Sequence, residues 1–246
     1  MKFKQRYTVK WHDTDANRLI RPSALVTYLQ ETANEHLIHI GISLDELRDR
    51  HGLAFILGGL SVRVYESLSS GDDIEVETWT CGTRGFRHNR CFSVTRGGKT
   101  VAEATSQWAL IKLADGSLVK VEDMPYHIEP EEPITLPDLP LRLKMPPLAE
   151  MDFAGERRIV YSDIDYNGHM NNTHYPNMLC DFTPNIKNIR VTGMTLSFLH
   201  EATFEHTLNV WRTQGGEGEY FFRTLDENSM VCLEARLTAE ELKSPM

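Results

Sequence analysis

The sequence predicts an α+β fold written twice, as two tandem units that each wrap a curved antiparallel sheet around a long helix. Three observations predict it. An Asp-x-Asp-x-Asn signature stands at Asp13, Asp15 and Asn17 and returns at Asp163, Asp165 and Asn167, 150 positions later. Between the copies, six of the 11 prolines (Pro130, Pro133, Pro137, Pro140, Pro146 and Pro147) crowd a stretch that cannot form a regular element and reads as a semi-extended linker. On both sides of it the same order of hydrophobic periods recurs: one strand, one helix, then about four alternating segments.

Each element has a local reason. Residues 3–11 alternate as a half-buried strand does. Pro22 suits a first helical turn, and Ala24, Leu25, Tyr28, Leu29, Thr32, Ala33, His36, Leu37 and Ile40 follow at helical spacing until Gly41 can end the run. Ser43 and Glu46 form a capping-box pattern for a shorter helix. Strands are expected at residues 60–65, 74–79, 91–94 and 101–113, with Arg96-Gly97-Gly98-Lys99 as a hairpin between the last two. The second half repeats the series at residues 157–161, 194–199, 207–211, 220–224 and 230–237, with a turn at Asp226-Glu227-Asn228 and a helix opening near Asn172. A long apolar helix followed by a curved antiparallel sheet buries itself best when the sheet wraps the helix, which is the hotdog arrangement. The expected boundaries are 1–128 for the first unit, 129–150 for the linker and 151–246 for the second.

Composition narrows the function. The 246 residues are 41% hydrophobic and 25% charged, as in ordinary globular proteins. No apolar run approaches the ~20 residues that span a bilayer. The polar start, Met1-Lys2-Phe3-Lys4-Gln5-Arg6, lacks the apolar core of a secretory signal, so a cytoplasmic location is expected. A net charge of -9 argues against sequence-independent nucleic-acid binding. Cys81, Cys91, Cys180 and Cys232 show no zinc-ligand spacing and are expected to be reduced and packed. No metal or cofactor is expected.

The most informative stretch runs from Asp163 to Tyr175. Asx residues and Gly168 favour a tight polar turn that gathers a carboxylate, an amide and an imidazole: Asp165, Asn167 and His169. It leads into a helix start, whose unpaired N–H groups and positive potential suit a carbonyl turning into an oxyanion.

The run Asp165-x-Asn167-x-His169 followed by Asn171-Asn172 resembles the active-site motif of the plant and bacterial acyl-acyl-carrier-protein thioesterases. Residues 85–90 with 104–108 resemble that family's first-domain sheet, and residues 196–201 its second-domain strand carrying a functional glutamate. The similarity runs in order over nearly the whole chain, linker included. The resemblance implies that the chain hydrolyses fatty acyl-ACP thioesters, with Asp165, Asn167, His169 and Glu201 as catalytic residues. In that reading Glu201, alone or with His169, activates a water. Asn167 and nearby N–H groups position the water or the carbonyl oxygen, and Asp165 orients the amide and imidazole. Many plant members carry a cysteine after the glutamate; Ala202 stands there instead, so a cysteine nucleophile at that position is excluded.

In the first copy Leu19 replaces the histidine, so that half has lost the proton-transfer group and its interior is free to hold an acyl chain. Tyr28, Leu29, Ala33, Leu37, Phe55 and Ile56 are the expected pocket lining, and the resemblance also places substrate selection in the first domain. The expected partner is acyl carrier protein, an acidic protein. Arg84, Arg87 and Arg90 are the candidate docking cluster, with Arg157 and Arg158 as another. The fused halves can pair with each other, so a monomer or a homodimer is expected. A coenzyme A thioesterase, a hotdog hydratase and a non-catalytic acyl-thioester sensor are the competing readings. His174 is expected to pack or cap, and His12, His36, His39 and His200 to be structural.

Overall fold

A computed structural model describes residues 1–242. The first half contains β1 (Phe3–Thr8), α1 (Pro22–His39), α2 (Leu44–Asp49), β2 (Leu53–Val64), β3 (Asp73–Arg84), β4 (Arg87–Arg96), β5 (Lys99–Lys112) and the short β6 (Leu118–Val119). The second contains β7 (Asp152–Arg158), α3 (Tyr175–Asp181), β8 (Ile189–Phe198), β9 (Thr207–Gln214), β10 (Glu219–Leu225) and β11 (Val231–Glu241). The strands form one sheet in the order β1-β3-β4-β5-β2-β8-β11-β10-β9-β7, with β6 beside β5. Read outward from the β2–β8 seam, the two halves have the same topology, and every neighbouring pair is antiparallel. The seam registers Leu60 with Leu196 and Val62 with Met194, and a buried Ser61–Thr195 hydroxyl contact of 3.0 Å closes it.

Local chemistry accounts for α1. Pro22 occupies its first turn, and Leu25, Val26, Leu29, Thr32, Ala33, His36 and Leu37 form one buried stripe against the sheet. Gly41, at φ +82°, ends the helix in a conformation that costs glycine little. Ser43 caps α2 by accepting the Glu46 N–H at 3.2 Å. Gly97 and Gly98, both at positive φ, make the tight β4–β5 turn, pairing Arg96 with Lys99. Trp11, the expected end of the first strand, lies instead in a 3-10 turn and is 79% exposed.

The second half departs from the expectation of a long helix. A 3-10 turn (Asn172–His174) leads into α3, which has only 7 residues. Two features stop it. Pro184 disfavours a helical Thr183, and the Thr183 hydroxyl donates to the Leu179 carbonyl at 2.7 Å. No helix among the described residues is long and apolar enough to cross a membrane.

The proline-rich stretch is more than a spacer. Glu131 bridges to Cys81, Trp79 Nε1 donates to the Glu132 carbonyl at 2.8 Å, and Ile134 covers a cluster of Trp79, Cys81 and Cys91. Further on, Leu136 and Leu139 are buried, Arg236 donates to the Asp138 carbonyl, and the Ser197 hydroxyl donates to the Leu141 carbonyl at 3.3 Å. The segment therefore seals the sheet on the side away from α1. Gly193 makes this possible: a Cβ there would lie 2.7 Å from Leu139 Cδ1 and 3.2 Å from the Val62 carbonyl oxygen.

Candidate active site

The second-half loop is held by its own polar groups. Asp163 is buried and accepts from the Val160 N–H at 2.9 Å and from Arg157 at 2.6 Å. Arg157 is thereby committed to an internal ion pair. Asp165 Oδ1 accepts the Asn167 N–H at 2.8 Å, and the Asp165 N–H donates to the His169 carbonyl at 3.1 Å. Gly168, at φ +87°, completes the turn. The loop then joins the segment after β8: the Met170 N–H donates to the Ala202 carbonyl at 2.7 Å, and His169 bridges to Thr203. This pairing carries His169 to Glu201, with Nε2 and Oε1 3.7 Å apart. The imidazole side chain is 21% exposed and the carboxylate 67%.

Asn167 is fixed from the other half of the molecule. Arg48 of α2 donates to its Oδ1 at 3.0 Å. A guanidinium has only donors, so the amide oxygen must face Arg48 and the Nδ2 donors are left free. No pattern in the sequence marked Arg48. Its contact joins residues 119 positions apart and exists only once the halves are packed.

Two expectations change here. Asp165 spends Oδ1 on the Asn167 backbone and so shapes the turn rather than orienting the imidazole. The helix start is also less available as an oxyanion site. Asn171 Oδ1 already takes the Thr173 N–H and hydroxyl, each at 2.9 Å, and the His174 N–H bonds the Asn171 carbonyl.

The first-half copy has the same turn without the imidazole. Asp15 Oδ1 accepts the Asn17 and Leu19 N–H groups at 2.8 and 3.0 Å, and Leu19 bridges to Ser69 as His169 does to Thr203. Leu19 opens on a smaller cavity of about 360 Å³ at the symmetry-related place.

Asp165, Asn167, His169 and Glu201 line one cleft of about 950 Å³. It runs under α1 and α2 into the first half, where Ala33, Leu37, Phe55 and Ile56 line it with Leu53, Leu57 and Trp108. Tyr28 and Leu29 do not. Leu29 is solid core, and the Tyr28 hydroxyl donates to Asp13 while its ring stacks on Tyr7 at 4.6 Å. Tyr175, which the sequence reading passed over, lines the cleft edge-on to Phe198 at 5.4 Å, and burial holds its phenol protonated far above the usual range.

The arginine cluster divides. Arg84 and Arg87 are exposed on either side of the turn at Gly85. Arg90 is only 6% exposed and lies inside the fold, bonded to His36 Nδ1 at 2.9 Å and Thr78 Oγ1 at 3.2 Å. Side chains alternate along a strand, and position 90 falls on the face turned towards α1. Arg90 therefore cannot form part of a docking surface.

Known proteins with this architecture give the comparison. Residues 1–127 match the model of the acyl-ACP thioesterase N-terminal domain, and residues 149–237 that of the C-terminal domain. A chloroplastic acyl-[acyl-carrier-protein] hydrolase of Cuphea viscosissima is 26% identical over 235 residues, covering 88% of this chain and 56% of its own length. A chloroplastic palmitoyl-acyl carrier protein thioesterase of Cuphea hookeriana is 26% identical over 240 residues, 89% of this chain and 57% of that one. The chain thus spans a little over half the length of these curated relatives. The crystal structure of an acyl-ACP thioesterase from Bacteroides thetaiotaomicron shares the fold at TM-score 0.86 and 21% identity, over 97% of this chain and 98% of that one. The 12:0-ACP thioesterase from Umbellularia californica does so at TM-score 0.86 and 18% identity, over 98% of each chain. With both domain models matched in order on either side of the linker, the chain belongs to the acyl-ACP thioesterase family.

Proposed function

We propose that the chain hydrolyses fatty acyl thioesters carried on acyl carrier protein, releasing the free acid and the carrier's thiol. The observation that carries this reading is the composition of one cleft: Asn167, His169 and Glu201 with a stretch into the first half lined by Ala33, Leu37, Leu53, Phe55, Ile56, Leu57 and Trp108. That is the pairing a thioester with a long apolar tail requires. The first unit, 1–128, holds the chain, and the second, 151–246, carries the chemistry.

Glu201, beside His169, takes a proton from a water as its oxygen attacks the thioester carbon. Charge builds on the former carbonyl oxygen, and the Asn167 Nδ2 donors, pre-oriented by Arg48, stabilise it. The carbon–sulfur bond then breaks, and the leaving thiolate receives a proton from the site. Ala202 leaves no cysteine nucleophile beside Glu201, which favours direct attack by water. Arg84 and Arg87 form the exposed basic edge for an acidic carrier, so turnover on carrier-bound substrate falls as salt rises.

The test is thiol release from a panel of acyl-ACP substrates, with the same acyl groups on coenzyme A in parallel, wild type beside His169→Ala. Release from the carrier-protein series, lowered ~10²-fold or more in the variant, is the expected result. Equal release by both proteins removes His169 from the chemistry. Hydration of enoyl thioesters without thiol release replaces the reading with a hydratase.

A further inference from the structure

The cleft that holds Glu201 is also lined by a buried cation. Arg90 and His88, two positions apart on the inward face of β4, both line the cleft and are 6% and 7% exposed. Only one terminal nitrogen of Arg90 is engaged, by His36 and Thr78. Its Nε and other terminal nitrogen make no hydrogen bond among the described residues and, unlike His88 Nε2, are not sealed from the cleft. No carboxylate forms an ion pair with it among the described residues, and the sulfurs beside it are those of Cys81 and Cys91. His36 gives no compensation. It accepts from a donor-only guanidinium through Nδ1, and burial followed by the Arg90 charge pushes its pKa down to about 4, so it is neutral. His88 Nε2 is buried without a partner as well. The carboxylates along the cleft (Glu31, Asp45, Asp165, Glu201 and Asp226) do not bond Arg90; Glu31, Asp45 and Glu201 are exposed, and the buried Asp226 takes the Asn228 and Met230 N–H groups instead.

A guanidinium 6% exposed with neutral hydrogen-bond partners alone is an expensive arrangement, and one that a purely methyl-ended chain would leave uncompensated. Its position says which part of a substrate could reach it. Arg90 registers with Ser106, Ser106 with Leu60, and Leu60 with Leu196 on β8, five residues before Glu201. Three strand spacings separate Arg90 from Leu196, ~14 Å. The cation therefore lines the cleft three strands across the sheet from the strand that leads to Glu201.

We propose that Arg90, with His88 beside it, binds a carboxylate at the far end of the acyl chain, so that the preferred substrates are ω-carboxyacyl thioesters rather than methyl-ended ones. A carboxylate matches a guanidinium's fork of donors and cancels its charge. This rests on the thioesterase reading for its substrate but not for its binding site, and the experiment separates the two. The 246-residue chain is titrated by calorimetry with an α,ω-dicarboxylic acid and with the monocarboxylic acid of the same carbon number. Hydrolysis of the matching carrier-protein thioesters is measured in parallel. The diacid is expected to bind at least ~10-fold tighter than the monoacid, with the kcat/KM ratio of the thioesters in the same direction, and Arg90→Met to bring both ratios down towards one. Tighter binding of the monoacid by wild type overturns the proposal. So does a diacid preference that Arg90→Met leaves intact. Because the first comparison needs no variant, a misfolded Arg90→Met still leaves a decisive result. Arg90-dependent diacid binding without hydrolysis of either thioester would keep this site and refute the thioesterase reading.

Discussion

The contact between Arg48 and Asn167 separates positioning from catalysis. Removing the amide in Asn167→Ala deletes the proposed oxyanion donor, and loss of one such donor costs about 10²- to 10³-fold in kcat. Arg48→Met deletes only what orients the amide. Its hydrogen bond to Oδ1 is 3.0 Å long and lies on the exposed side of the cleft, so a net worth of ~0.5–1 kcal/mol is the appropriate scale. That corresponds to a loss of about two- to fivefold. The two changes are not independent, because the arginine acts through the amide. In the double variant, Arg48→Met should therefore add almost nothing to Asn167→Ala. The assay is steady-state thiol release from acyl-ACP for the four proteins, with thermal melting as a control for folding. Two results refute the reasoning: a full multiplicative loss in the double variant, or Arg48→Met falling as far as Asn167→Ala.

Other perturbations test the fold and the pocket. Gly193→Val drives new carbon atoms into Leu139 and the Val62 carbonyl, so it should destabilise by ~1–3 kcal/mol, seen as a lower denaturant midpoint; an unchanged midpoint would mean the linker is not packed there. Burial lowers the pKa of His36 from 6.5 to about 4. The unfolded chain then binds a proton that the folded one excludes, so this contribution is full above pH ~6.5 and shrinks as pH falls towards ~4. Urea titrations across that window should show stability rising with pH, with a weaker slope in His36→Gln; identical slopes would remove His36 as the cause. Ala33→Phe narrows the channel at a residue that is 5% exposed, and the fatty acids released should shift to shorter chains. An unchanged product profile would take Ala33 out of the pocket.

Much of the architecture can be read in the chain because its determinants are local. Pro22 and Gly41 bracket α1, Gly97-Gly98 makes the β4–β5 hairpin, and the two Asp-x-Asp-x-Asn turns show the duplication in their own hydrogen bonds. The His169 loop is legible for the same reason, since its carboxylate, amide and imidazole lie within five residues of one another. The end of α3 was less plain, because a single hydroxyl–carbonyl bond and one proline act against a permissive sequence.

What the tertiary structure decided is everything that depends on residues distant in the chain. Nothing around Arg90 distinguishes it from its neighbours Arg84 and Arg87; only its place on the inward face of β4 turns it from a surface charge into a buried one. Tyr28 carries the apolar spacing of a pocket residue, yet the first-half turn brings Asp13 to its hydroxyl and removes it from the channel. Glu201 meets His169, and Arg48 meets Asn167, only through the pairing of the 203 segment with the His169 loop and the packing of α2 across the halves. Periodicity states that a side chain is buried, and at what spacing. It does not state what the side chain faces, because the partner comes from another strand, and the sheet alone brings the two together.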